Sequence, residues 1–149
     1  MAEPKHYPLE ALRVLDLSSE IAGPYASKLF VDAGAQVIKV ERRSGDPLRR
    51  WSASAGLDPE SWLLANPRLV IVRISPWGQT GPWAERPAND FTLQAATGSI
   101  EYRGLRDREP VAAGGRISDW ITGSFAGLGG LAAWRSARQT GEGQIVDVS

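Results

Sequence analysis

Four groups of residues in this chain have types and spacings that can do chemistry. The first is Asp119, a carboxylate standing ahead of Gly123, Gly127, Gly129 and Gly130. At the head of a helix an aspartate reads either as an N-cap or as a carboxylate nucleophile, placed where helix-terminal N–H groups stabilise charge on a bound acyl group. The second is Arg42, Arg43, Arg49 and Arg50, four guanidinium groups within nine residues. Such a cluster suits phosphates through bidentate hydrogen bonds and can stack on adenine, or it is a solvated loop neutralised by Glu41 and Asp46. The third is the segment SSEIAG at residues 18–23, which contains Glu20 and Ile21. The fourth is Trp51, Trp77 and Trp83, in turn-rich stretches where an indole either lids a core or lines an acyl or adenine pocket.

Other chemistries are removed by what the chain lacks. It has no cysteine and one histidine, His6, in an irregular N-terminal segment. Disulfides, thiolate zinc sites, cysteine nucleophiles and any Ser-His-Asp triad not built on His6 are excluded, and no metal is expected. Lysine plus arginine and aspartate plus glutamate are both 17, so no bulk charge attracts nucleic acid or an anionic membrane. No apolar run approaches the ~18 residues of a membrane span, and the N-terminus has no signal-peptide pattern, so a cytoplasmic protein is expected. With 149 residues, 42% apolar and 23% charged, the chain is long enough and ordinary enough for one packed domain.

The elements that must position these residues follow from periodicity and turn signals. Residues 13–18 form a short apolar strand, Pro24 opens a helix that Gly34 closes, and residues 36–41 alternate as a second strand. Together they make a βαβ unit, which implies a parallel sheet with a right-handed crossover. Asp58 and Pro59 start a short helix that Asn66-Pro67 stops, and residues 69–75 form a third strand. Asp90 is read as the cap of a helix over 91–97. The longest helix is expected over 119–138, with Ile121, Phe125, Leu128 and Ala132 at helical spacing. Its glycines weaken it by up to about 1 kcal/mol each relative to alanine, which suggests close approach by another backbone or a ligand. Residues 144–148 read as a last strand. The fold class is therefore α/β, with a short, mostly parallel sheet flanked by helices and a long glycine-rich helix.

In an open parallel sheet ligands bind beyond the carboxyl ends of the strands, which selects residues 18–23, 41–43 and 76–82. A dinucleotide site with Glu41 on a ribose is the obvious candidate, but SSEIAG is not G-x-G-x-x-G and does not let a pyrophosphate approach the backbone.

The segments LRVLDLSSEIAGPYASKLFVDAGAQVIKVERR, NPRLVIVRISPWGQTGP, NDFTLQAATG and GGRISDWITGSFAGLGGLAAWRSARQTGEGQIVDVS, in that order, resemble the class III CoA-transferases (the CaiB/BaiF-like family, which includes formyl-CoA transferases and α-methylacyl-CoA racemases). The resemblance implies a Rossmann-like CoA-binding domain and an interlocked homodimer. It implies acyl-CoA and a carboxylic acid acceptor as substrates, with coenzyme A as the group carried. By the same resemblance Arg42, with Arg43 beside it, meets the adenine-nucleotide end of CoA, Glu20 and Ile21 touch the same ligand, and Asp119 is the catalytic aspartate. That carboxylate attacks an acyl-CoA thioester to give an acyl-aspartyl anhydride, then an aspartyl-CoA thioester that an acceptor carboxylate takes over. Racemases of the family carry a histidine before the aspartate that is Asp90 here; this chain has Asn89, which favours the transferase branch over acyl-CoA racemisation.

Two departures from the family pattern are visible. Relatives carry a further strand–helix–strand segment before the NPRLV strand, whereas here residues 51–56 run almost straight into Leu57-Asp58-Pro59. The family also continues past the end of this sequence into a small second domain and a returning C-terminal segment, and its glycine-rich closing loop has no match here. A single abbreviated CoA-binding domain over residues 1–149, an N-terminal portion of the family, is therefore expected. The non-enzymatic alternative is a CoA-binding remnant or an assembly module.

Overall fold

The computed structural model describes residues 6–41, 43 and 59–149. In chain order the elements are β1 (Arg13–Asp16), α1 (Ala22–Asp32), β2 (Gln36–Lys39), α2 (Pro59–Ala65), β3 (Val70–Ile74), α3 (Asp90–Ala96), α4 (Ile117–Thr140) and β4 (Gln144–Val148). The class is α/β with short parallel strands flanked by helices. β1 pairs in parallel with β2, with Val14 opposite Val37 and Leu15 opposite Ile38. β3 pairs in parallel with β4, with Ile71 opposite Ile145 and Val72 opposite Val146. Among the described residues these are two separate two-stranded sheets. The single sheet expected from the sequence is thus split in two.

The β1–α1–β2 unit forms as its sequence dictates, with one shift. α1 begins at Ala22, so Pro24 is its third residue rather than its first. Proline is tolerated there because the first helical N–H groups have no intrahelical acceptor in any case. At the other end Gly34 takes φ +96° and donates its N–H to Val31 O at 2.8 Å, closing the helix as expected. The core lies under this unit: Leu9, Leu12 and Ala35 are buried, with Val14, Phe30, Val37, Leu131 and Trp134 packed around them.

α4 packs on α1 and on the β3–β4 pair, and contradicts the face its apolar spacing suggests. Ile121, Phe125 and Leu128 are 49%, 61% and 64% exposed, and the buried face is Gly123, Ala126, Gly127, Gly130, Ala133 and Ala137. Close packing explains the inversion. A Cβ on Gly123 would sit 2.6 Å from Ala22 O, and one on Gly130 would sit 3.0 Å from a Val72 methyl. The glycines therefore admit another backbone, that of α1, and a side chain of β3. Gly141 ends α4 at φ 82°, its N–H donating to Ala137 O at 3.0 Å.

The cap of α3 also differs from expectation. Asn89, not Asp90, is the N-cap: its side chain accepts from Thr92 N at 2.9 Å, and the Thr92 hydroxyl accepts from Asn89 N at 2.9 Å. This reciprocal pair satisfies two otherwise orphaned donors, and it turns Asp90 toward α4. Among the described residues no helix is long and apolar enough to cross a membrane.

Candidate active site

The loop after β1 is built around Asp16, the last residue of that strand and one of the few buried charges. The Ser18 N–H donates to Asp16 Oδ1 at 2.9 Å, and the Ser27 hydroxyl of α1 donates to Oδ2 at 2.7 Å. Lys39 at the end of β2 lies 3.4 Å from the same carboxylate and donates to Ser18 O at 2.7 Å. Gly23 is required here, because a Cβ would fall 2.0 Å from Ser18 Oγ. The pinned loop carries Glu20 in the left-handed region, at φ 64°, and Ile21 as the N-cap residue of α1.

Asp119 stands in the first turn of α4, but it does not cap the helix. The cap position is Arg116, in the left-handed region at φ 55° and ψ 49°, with no side-chain cap hydrogen bond. The N-cap reading of Asp119 is thereby overturned: the helix starts earlier, at Ile117, and the carboxylate turns to the guanidinium. Arg116 Nε pairs with Asp119 Oδ2, while Arg116 donates through an Nη to Glu20 Oε2 at 2.7 Å. Glu20 and Asp119, from opposite ends of the sequence, thus share one arginine. Asp119 is largely enclosed, its side chain 21% exposed. Burial raises its carboxyl above the ordinary aspartate value; Arg116 pulls it back, and the charges of Glu20 and Asp90 push it up again.

Asp90 completes the surroundings. Its Oδ1 accepts from Ser118 N in the first turn of α4 at 2.9 Å. Burial pushes Asp90 up, yet the amide and hydroxyl of Ser118, the Gln94 amide and the charge of Arg116 outweigh it and hold the carboxyl below its usual value. Behind it, Gln94 is only 2% exposed. Its Nε2 donates to Asp90 Oδ2 at 2.6 Å and to Ala113 O at 2.9 Å, and its Oε1 accepts from Ala113 N at 2.9 Å and from Arg103 at 2.8 Å. This one side chain ties α3 to the loop that leads into Asp119.

Of the residues selected from the sequence, Glu20 and Asp119 are brought together, Ile21 flanks them, and Arg43 is exposed on the loop after β2. Arg42, Arg49, Arg50 and Trp51 lie outside the described residues. Trp77 and Trp83 meet edge to face at 5.4 Å, with the Arg86 guanidinium 5.7 Å and 5.0 Å from the two rings. Asp16, Asp90, Gln94 and Arg116 were not singled out for this site. The Arg116–Asp119 spacing of three was the readable signal.

A conserved-family model, CoA-transferase family III, matches residues 9–62 and 52–149. The chain belongs to this family. It is 29% identical to the succinyl-CoA–D-citramalate CoA-transferase of Chloroflexus aurantiacus, over 95% of this chain and 48% of that protein. It is 28% identical to the succinate–glutarate CoA-transferase of Agrobacterium fabrum, over 95% of this chain and 50% of that protein. The crystal structure of a CaiB/BaiF family protein from Brucella suis superposes with a TM-score of 0.89 at 27% identity, covering 97% of this chain and 53% of that one. The chain spans about half the length of the curated relatives it matches.

The same comparisons locate an internal gap. The Chloroflexus alignment has 195 positions against a chain of 149 residues, so at least 46 positions are present in the relative and absent here. The two family matches overlap only at residues 52–62, which places the gap there. β1–β2 and β3–β4 flank it, and among the described residues no strand joins them. The split sheet follows.

Proposed function

We propose that this chain is the CoA-binding portion of a class III CoA-transferase that works in the cytoplasm, as one abbreviated domain over residues 1–149. Its reaction moves CoA from an acyl-CoA thioester to a carboxylic acid, with Asp119 as acyl acceptor. The observation that carries this reading is the enclosed carboxylate of Asp119 at the head of α4, joined by Arg116 to Glu20 on the loop beyond β1. An Asp119 oxygen attacks the thioester carbonyl, the C–S bond breaks, and CoA leaves as thiolate from a mixed anhydride. The thiolate then attacks the aspartyl carbonyl, releasing the donor acid and leaving an aspartyl-CoA thioester. The acceptor carboxylate attacks that thioester, CoA leaves again and closes onto the acceptor, and Asp119 is regenerated. Arg42, with Arg43, meets the adenine-nucleotide end of CoA, while Glu20 and Ile21 border the same ligand. Relatives named for succinyl-CoA, D-citramalate, succinate and glutarate support short dicarboxylic acids as the substrate class. The exposed stripe of Ile121, Phe125 and Leu128 on α4 supports a homodimer that covers it.

A second reading, a CoA-binding remnant or assembly module without turnover, is favoured by the internal gap and by the unjoined strand pairs. Incubation with succinyl-CoA and a panel of dicarboxylic acids, followed by chromatography of the CoA thioesters, separates the two. New thioesters that require Asp119 support the transferase. CoA binding by calorimetry with no exchange of any acid supports the remnant.

A further inference from the structure

We propose that Arg116 is a positioning residue for the acyl-accepting carboxylate: it holds Asp119 ionised and aimed, and Glu20 tunes that hold by sharing the same guanidinium. The proposal rests on the reading of Asp119 given above and adds two residues to it. The geometry is one arginine with two carboxylate partners, Asp119 three residues on and Glu20 ninety-six residues back. Arg116 and Glu20 are also the only non-glycine residues with positive φ among the described residues. Left-handed backbone costs about 1–2 kcal/mol for a residue with a Cβ, and it persists only where the surroundings over-determine it. Here both strained residues sit at the two ends of one ion pair.

The helix start carries a second local cost. A serine, threonine or aspartate at the Arg116 position would accept a helix N–H and contribute about 1 kcal/mol. A guanidinium has donors only and cannot do so. What arginine supplies instead is a charge that does not titrate, in a fork that can serve two carboxylates at once. Among the described residues the charged groups facing Asp119 are Arg116 from the residue before α4, Glu20 from the loop after β1, and Asp90 from the head of α3. Two of the three are acidic, and burial acts in the same sense as they do. Without Arg116, burial and the two acidic neighbours favour the protonated, non-nucleophilic carboxylic acid.

The test follows the Asp119 carboxylate directly, by carbon NMR of aspartate labelled at the side-chain carboxyl, in the wild-type chain and in Arg116→Gln, Arg116→Lys and Glu20→Gln. Arg116→Gln is expected to move the Asp119 midpoint upward, Arg116→Lys to restore most of it, and Glu20→Gln to move it downward. Trapping of the acyl intermediate with hydroxylamine should then fall in Arg116→Gln about tenfold per unit of that upward shift when measured at a pH below both midpoints, and recover as the pH is raised. An unchanged Asp119 midpoint in both Arg116→Gln and Glu20→Gln overturns the proposal. If Arg116→Gln does not fold, the downward shift expected of Glu20→Gln still decides it, and an unchanged midpoint there overturns the proposal. Absence of an acyl adduct in every variant counts against the acyl-acceptor reading alone, because the NMR midpoints do not depend on turnover.

Discussion

Replacing Gln94 by leucine removes the least exposed large side chain of the site and every hydrogen bond it makes. Four are lost: to Asp90 Oδ2 at 2.6 Å, to Ala113 O and from Ala113 N at 2.9 Å each, and from Arg103 at 2.8 Å. At about 0.5–1.5 kcal/mol net per bond the upper total is ~6 kcal/mol. Asp90, Arg103 and Ala113 are only partly buried and recover water once released, which lowers the expected loss to about 2–4 kcal/mol. Urea unfolding followed by tryptophan fluorescence measures it, with the midpoint compared at constant slope. Gln94→Glu gives an independent check. It keeps both acceptor functions but sets a second carboxylate against Asp90, so its deficit is largest at neutral pH and shrinks as acid lets the pair share a proton. A Gln94→Leu loss below about 0.5 kcal/mol, the range of ordinary surface substitutions, would falsify the view that this side chain holds the loop before α4.

Gly123→Ala is expected to cost about 1–3 kcal/mol in the same unfolding assay, since its Cβ meets the backbone oxygen of Ala22 at 2.6 Å and helix α1 must move aside. Gly141→Ala should cost only about 1–2 kcal/mol, for its φ of 82° and with nothing within 4 Å of the new methyl. Gly143→Ala should cost more than Gly141→Ala, because its Cβ would lie 1.9 Å from Leu69 O at the entrance to β3. Asp119→Asn is expected to unfold at higher urea than wild type at neutral pH. Burial raises the Asp119 carboxyl above its unfolded value, so its favourable contribution is complete below the unfolded pKa and is lost as pH rises through the folded one. The gap between the two proteins should therefore close on acidification, as measured by unfolding midpoints across pH.

How much of this was legible in the sequence differs from residue to residue. The β1–α1–β2 unit was, because a short apolar run, Pro24 and Gly34 are local signals that agree with one another. The face of α4 was not. Apolar spacing points to Ile121, Phe125 and Leu128, but the interface with α1 is set by how closely two backbones approach, and that selects the small residues between them. Asn89 and Asp90 are both good caps, and the deciding clue was Thr92 three residues after Asn89. Asp119 could be selected by position and family resemblance. Its governing partner pair could not, because Glu20 reaches Arg116 only after the chain has folded across 96 residues. Gln94 carries no sequence signal of burial at all, and glutamine is usually a surface residue. The division of the sheet follows from at least 46 positions the chain lacks relative to the Chloroflexus transferase, which a single sequence shows only as an abrupt junction.

Covalent participation of Asp119 is tested most directly by intact mass spectrometry of the protein after incubation with succinyl-CoA and hydroxylamine, with Asp119→Ala as the comparison. Capture of an acyl-aspartyl or aspartyl-CoA intermediate as a hydroxamate adds about 15 Da, and this gain is expected in the wild-type chain and absent in Asp119→Ala. A folded wild-type protein that binds CoA but gains no mass would contradict the acyl-acceptor role, as would an equal gain in both proteins.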